Sequence, residues 1–162
     1  MLRKGFLPSK LPADPLALVA EWLTQAREHK IQPNPDSMVV ATSTPDGQPS
    51  ARVVLCRKLV ADPGYAVFFT NYQSRKGAEL AANPRVAAVL HWDTWARQVR
   101  LEGRVVLSPA AESDEYFASR ALDSRIGAWA SLQSQVLDSR TTLLKRVATE
   151  AAAWSEADLI MI

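Results

Sequence analysis

At 162 residues, with 48% hydrophobic and 22% charged side chains, the chain is long enough to bury a core and too apolar to be disordered. A net charge of +2 argues against nucleic acid as a partner, and no apolar run approaches the roughly 20 residues of a membrane helix. The single cysteine, Cys56, excludes an internal disulfide and suits a reducing cytoplasm; the opening stretch, MLRKGFLPSKLPADP, lacks the continuous apolar run of a secretory signal.

Residues 14–30 predict a helix with Asp14 as N-cap and Pro15 at its first position. Leu16, Val19, Trp22, Leu23 and Ala26 recur at three- and four-residue steps, so one face is apolar and should dock on something larger. Gln32-Pro33-Asn34-Pro35 ends the helix. A strand from Ser37 to Thr44, the turn signal Pro45-Asp46-Gly47 and a strand from Ala51 to Lys58 predict an antiparallel hairpin. A loop closed by Asp62-Pro63-Gly64 leads to a strand over Tyr65–Thr70 and then a short helix. That helix has Ser74 as N-cap and stops before Asn83-Pro84.

Arg75 and Lys76 lie in the first turn of this helix, where the dipole disfavours cations by a few tenths of a kcal/mol each. Two cations, a capping hydroxyl and free backbone N–H groups together make either an anion site, with phosphate the usual anion, or a solvated basic turn. Arg52 could add a third cation. Residues Arg85–Trp92 predict a strand buried on both faces. In Ala96–Leu107, Gln98, Arg100, Glu102 and Arg104 alternate with Val99, Leu101, Gly103 and Val105, so one side is wet and one dry. Five strands with short links and helices at the edges predict a mainly β, α+β fold: an antiparallel, barrel-like sheet.

Ser108-Pro109 predicts another helix start. Tyr116 and Arg120 are four apart on it, and Ser124 aligns with them only if the helix continues through Leu122-Asp123. The row could hold a second phosphate, or it could be an exposed helix face. A further short helix over 124–134 should turn Trp129 inward, and a last helix over Thr141–Trp154 carries the stripe Leu143, Leu144, Val147, Ala151 and Trp154. His29, His91 and Cys56 are isolated and make no metal site; Cys56 has no base beside it in sequence and is not expected to be a nucleophile.

The segments LPADPLALVAEWL, MVVATSTPDGQPSARVVLC, VFFTNYQSRKGAELAANPRVA, ARQVRLEGRV and YFASRALDSRIGAWASLQS resemble, in order and spacing, the pyridoxamine 5′-phosphate oxidases. The resemblance covers about residues 11–146 and implies a single FMN-binding split β-barrel domain over 1–162, working as a homodimer, with an atypical tail over about 147–162. It implies FMN contacts from the segment Arg52, Val53, Val54, Leu55, Cys56 and Arg57, with Arg52 on the phosphate. It adds Phe69 and Thr70 at the flavin, Arg75 and Lys76 at the phosphate, Gln98 near the ring, and Gln133 and Ser134, partly across the subunit interface. Tyr116, Arg120 and Ser124, with Arg57, match the residues that grip the substrate phosphate. The implied reaction oxidises pyridoxamine or pyridoxine 5′-phosphate to pyridoxal 5′-phosphate, with dioxygen as acceptor and hydrogen peroxide as product.

Several departures stand out. Arg57 replaces a usual lysine and Phe69 a common tyrosine, and Arg52 and Arg57 fall on opposite faces of an ideal strand, so both serve one site only if the strand twists or bulges. The family's N-terminal arm and its C-terminal Trp-Gly-Gly and Arg-x-His-x-Arg segments have no counterpart in the sequence. The expectation is a truncated or frame-shifted reading frame, which the DNA beyond the codon for Glu150 would reveal in another frame. The alternatives are an impaired or non-catalytic protein that binds FMN or pyridoxal phosphate, and a different FMN-linked reductase. Retention of Tyr116, Arg120 and Ser124 argues against the last.

Overall fold

The structure, a computed structural model, describes residues 10–153. The first helix, α1 (Leu16–Glu28), begins one residue later than the capping pattern predicts: Pro15 flanks it, and Asp14 Oδ1 accepts from Leu16 N at 2.9 Å. Val19, Trp22, Leu23 and Ala26 are its buried stripe, as the periodicity requires.

That stripe packs on one face of a four-stranded antiparallel sheet. Strands β1 (Ser37–Ser43) and β2 (Pro49–Leu55) form the predicted hairpin, with Val40 opposite Arg52 and Thr42 opposite Ser50. Gly47, at φ 91°, supplies the left-handed residue of the turn. Two strands from β1 onward complete the sheet: β5 (Arg85–Trp92) pairs with β1, and β6 (Arg97–Arg104) pairs with β5. The order is β2-β1-β5-β6. A separate two-stranded hairpin joins β3 (Lys58–Val60) to β4 (Tyr65–Val67).

The strand expected over Ala51–Lys58 is therefore two strands. Cys56 N still donates toward the first sheet, to Asp36 O at 2.9 Å, but Arg57 N donates to Val67 O at 2.8 Å. The backbone changes partner at this step, so Arg52 lies in the four-stranded sheet and Arg57 at the start of the separate hairpin. The strand expected to be buried on both faces, β5, is one-sided: Ala88, Leu90 and Trp92 are buried, while Ala87 and His91 are exposed. The wet side of β6 is as predicted, with Gln98, Arg100, Glu102 and Arg104 exposed.

Between α1 and the sheet lie Met38, Val40, Cys56, Ala88, Leu90 and Trp92. Burying side chains such as Leu23, Met38 and Leu90 stabilises the fold by roughly 1.5–3 kcal/mol each. Trp92 satisfies its indole N–H on Pro35 O at 2.8 Å. Arg97 lies between two indoles, 4.5 Å from the Trp22 ring and 4.6 Å from the Trp95 ring, and so ties β6 to α1.

Helix α2 (Arg75–Ala82) is capped by Ser74, whose Oγ accepts from Gly77 N, and it ends at Asn83. Gly77 is required: a Cβ there would lie 2.0 Å from the Tyr72 carbonyl oxygen. The chain then turns helical in α3 (Ala110–Ala118), α4 (Leu122–Ala130) and α5 (Arg140–Ala153). Ser108 does not cap α3; its hydroxyl meets that of Ser113 at 3.2 Å, and Pro109 flanks the helix. The chain breaks between Ala118 and Leu122, so Ser124 sits in the first turn of a new helix rather than in line with Tyr116. Helix α5 packs on α4 with Leu143 and Val147 half-buried and Leu144 and Ala151 exposed; Trp154 falls outside the described residues. Among the described residues no helix is long and apolar enough to cross a membrane.

Candidate functional site

A polar cluster forms where α2 meets the inner faces of β1 and β2. The alternation of β2 sends Ser50 and Arg52 inward, opposite Thr42 and Val40. From α2, the Glu79 carboxylate reaches the same place. It accepts from Ser50 Oγ at 2.6 Å, from Thr42 Oγ1, from Arg75 Nε at 2.8 Å and from Arg52 Nη2 at 3.4 Å. Arg52 also donates to Thr42 Oγ1 at 2.6 Å, to Ser50 Oγ and to Val40 O at 3.3 Å. The hydrogen bonds from Ser50 and Thr42, with the Arg75 charge, hold the Glu79 carboxyl down to about 2, so it is ionised at any physiological pH.

Lys76 lies beside this cluster with 7% of its surface exposed. Its ammonium donates to Ser74 Oγ at 3.0 Å and to Gln133 Oε1, and among the described residues it forms no ion pair. Burial first, and then the Arg52 charge, lowers its pKa. A buried cation held only by neutral acceptors is costly unless an anion completes the set. Arg52, Arg75 and Lys76 are therefore a donor set that fits a phosphate group, while Ser74, whose hydroxyl donates to Asn71 O at 2.6 Å and accepts from Lys76 and Gly77 N, holds Lys76 and the helix start in place.

A second cluster lies past the change of partner at Cys56. Arg57 Nε donates to Tyr116 Oη at 3.2 Å, and the Phe69 and Tyr116 rings stack at 3.8 Å with planes 5° apart. Asp36 steadies this cluster from below. It pairs with Arg57 at 3.6 Å and with Arg27 at 2.6 Å, and Arg27 also donates to Cys56 O at 2.9 Å. Cys56 itself is buried, and desolvation pushes its thiol up to about 11, so it is no thiolate nucleophile.

Of the residues singled out from sequence, the structure joins Arg52, Arg75, Lys76 and Gln133 in the first cluster and Arg57, Phe69 and Tyr116 in the second. Val54 packs inward, whereas Val53 is 64% exposed on the opposite face. Leu55 and Thr70 are half-buried, and Ser134 is exposed at φ 68° beside Gln133. Gln98 is exposed on the outer face of β6, opposite His91, and so points away from Arg52 and Lys76. Arg120 lies over Phe117 at 5.8 Å, and Ser124 is exposed at the start of α4; neither joins Tyr116.

Sequence reasoning missed Thr42, Ser50 and Glu79 in the first cluster and Arg27 and Asp36 in the second. A signal existed for the first three. Thr42 and Ser50 occupy inward positions of an otherwise apolar hairpin, and Glu79 is four residues from Arg75 on a helix face that turns toward the sheet. Among the described residues no group of three His, Cys, Asp or Glu side chains is placed to hold a metal ion.

Residues 24–155 match the family model described as pyridoxamine 5′-phosphate oxidase. The pyridoxine/pyridoxamine 5′-phosphate oxidase of Rhodospirillum rubrum is 51% identical over 146 residues, which cover 88% of this chain and 72% of that protein. The protein of the same name from Burkholderia vietnamiensis is 52% identical over 143 residues, covering 88% of this chain and 65% of its own length. The chain thus spans about two thirds of the length of these relatives. Among solved structures, PhzG from Burkholderia lata, in complex with tetrahydrophenazine-1-carboxylic acid, superposes with a TM-score of 0.84 at 26% identity over 94% of this chain and 75% of PhzG. A pyridoxamine 5′-phosphate oxidase-related, FMN binding protein from Nostoc punctiforme shares the fold with a TM-score of 0.65 at 16% identity, over 93% of this chain and 76% of its own.

Proposed function

Since the chain belongs to the pyridoxamine 5′-phosphate oxidase family, we propose that it binds FMN and oxidises pyridoxamine or pyridoxine 5′-phosphate to pyridoxal 5′-phosphate. The observation that carries this reading is Lys76, a buried ammonium with no carboxylate partner among the described residues, set beside Arg52 and Arg75 at the capped start of α2. FMN supplies the two-electron acceptor, which dioxygen regenerates with release of hydrogen peroxide.

Arg52, Arg75 and Lys76 neutralise the FMN phosphate, and Gln133 and Ser134 close over it. The backbone and side chains from Val53 to Arg57, with Phe69 and Thr70, line the flavin. Arg57 and Tyr116 grip the substrate phosphate, and Arg120 and Ser124, which stand apart from Tyr116, are the further contacts that the family resemblance implies. Arg57 is well suited to that task because Asp36 and Tyr116 already orient its guanidinium.

The functional unit is a homodimer of split-barrel domains in the cytoplasm, each chain one domain with its family-like core over about 11–146. Two observations support the dimer. The outer sheet face carries a cross-strand row of Val53, Val39 and Val89, with Val53 64% and Val39 41% exposed. Gln98 lies on that same outer face, where it can approach a flavin held by a second subunit but not one held by its own Arg52 and Lys76.

The test is a visible spectrum of the purified protein after FMN is added and the excess removed, followed by anaerobic addition of pyridoxine 5′-phosphate. Retained flavin that is bleached by the substrate is the expected result. Retained flavin that is not bleached would select the non-catalytic binding protein, and loss of the flavin would refute the reading.

A further inference from the structure

Glu79 takes no part in the function proposed above, yet among the described residues it is the one carboxylate at the centre of the cluster. Its side chain is 4% exposed, and it accepts from two hydroxyls and two guanidinium groups. We infer that Glu79 is the positioning residue of the phosphate site, aiming Arg52 and Arg75 at the incoming anion and fixing the direction of the hydroxyl protons between them.

The direction follows from donor and acceptor chemistry. An ionised carboxylate only accepts, so Thr42 and Ser50 must each turn the hydroxyl proton toward Glu79. Their lone pairs are then left for Arg52, whose Nη1 and Nη2 donate to Thr42 Oγ1 and Ser50 Oγ. The Arg52 guanidinium is thereby held by Glu79 and by two hydroxyls that Glu79 orients, with Val40 O taking the remaining Nη1 proton at 3.3 Å, so among the described residues its Nε–H is the donor left for an anion. Arg75 is engaged through Nε, which leaves the outer edge of its fork free, and its side chain is 56% exposed. Three cations against one carboxylate leave two positive charges, the complement of a phosphate dianion.

This inference rests on the FMN reading, and its test separates the two. The affinities of the 162-residue protein for FMN and for riboflavin, which lacks the phosphate, are measured by quenching of flavin fluorescence. The comparison is between the unaltered protein and the Glu79→Gln and Glu79→Asp variants. Glu79→Gln keeps the shape but puts an N–H donor where an acceptor is needed. Loss of charge-assisted hydrogen bonding should weaken FMN by about tenfold or more, with riboflavin affinity unchanged. Glu79→Asp keeps the charge but retracts it by one methylene, so it should fall between, and it carries the test if the glutamine variant does not fold.

Equal loss of both flavins would mean that Glu79 is merely structural and would overturn the inference. So would a Glu79→Gln variant that prefers FMN as strongly as the unaltered protein, or more strongly, because the carboxylate would then be only a competing anion. If the unaltered protein itself shows no preference for FMN over riboflavin, both the inference and the reading beneath it fall.

Discussion

Lys76→Met separates the ligand role of the buried ammonium from any role in stability. In the native chain the charge is buried and held by Ser74 Oγ and Gln133 Oε1. Removing it forfeits two charge-assisted hydrogen bonds, roughly 1.5–3 kcal/mol each. It also relieves a desolvation penalty of several kcal/mol, and it strands no partner. Ser74 Oγ keeps its bond to Asn71 O at 2.6 Å and still caps Gly77 N, and Gln133 is exposed enough to take water. The two effects nearly cancel, so stability should stay within about 1 kcal/mol, a Tm change of about 2–4 °C at most for a chain of this size. FMN affinity should behave differently. Loss of a buried cation from a phosphate contact costs about 2–4 kcal/mol, so Kd should rise about 30- to 1,000-fold. The assay is a flavin titration beside a thermal melt on the same samples. A Tm lowered well beyond 4 °C with Kd unchanged would refute the reasoning and make Lys76 a structural tie between α2 and the 131–139 segment.

Gly77→Ala drives a methyl group into the Tyr72 carbonyl; it should destabilise by about 1–3 kcal/mol or more, read as a lower midpoint in urea. Arg97→Leu removes a cation from between Trp22 and Trp95, and about 1–3 kcal/mol of stability should go with it, again by urea melts. The Glu79 carboxyl falls from an ordinary 4.5 to about 2 in the folded protein, so the folded state binds fewer protons in that range. Its contribution is complete above pH 4.5 and is lost as the pH falls toward 2, and Glu79→Gln should flatten that part of the stability profile. Cys56 has the opposite sign: its thiol rises from 9.0 to about 11, so its contribution to stability should decline as the pH climbs through that window, and Cys56→Ala should remove that contribution.

Local chemistry in the sequence determined the elements and half of the candidate site. Ser74 caps α2 because its hydroxyl needs only the N–H groups three residues on. The α1 stripe and the alternation of β6 follow from backbone periods of 3.6 and 2, which no distant contact has to supply. The resemblance in residue order identified the family before any contact was visible. What local rules misjudged has a common cause. The split of the expected strand at Cys56-Arg57 depends on which neighbouring strand takes each N–H, and the bend after Ala118 ended the row in which Tyr116, Arg120 and Ser124 were to align.

Only the tertiary structure decided the partners of the charged groups. Lys76 meets Gln133 across 57 residues of chain, and Glu79 meets Thr42 across 37. Arg57 is steadied by an aspartate that precedes β1. Such pairings are set by sheet register and by how α2 docks on β1, which the spacing of neighbouring residues hints at for Thr42, Ser50 and Glu79 but does not fix. The sequence therefore specified that a cationic helix start exists, and packing specified that one of its cations is buried without an anion among the described residues, the feature that makes a basic turn a candidate binding site.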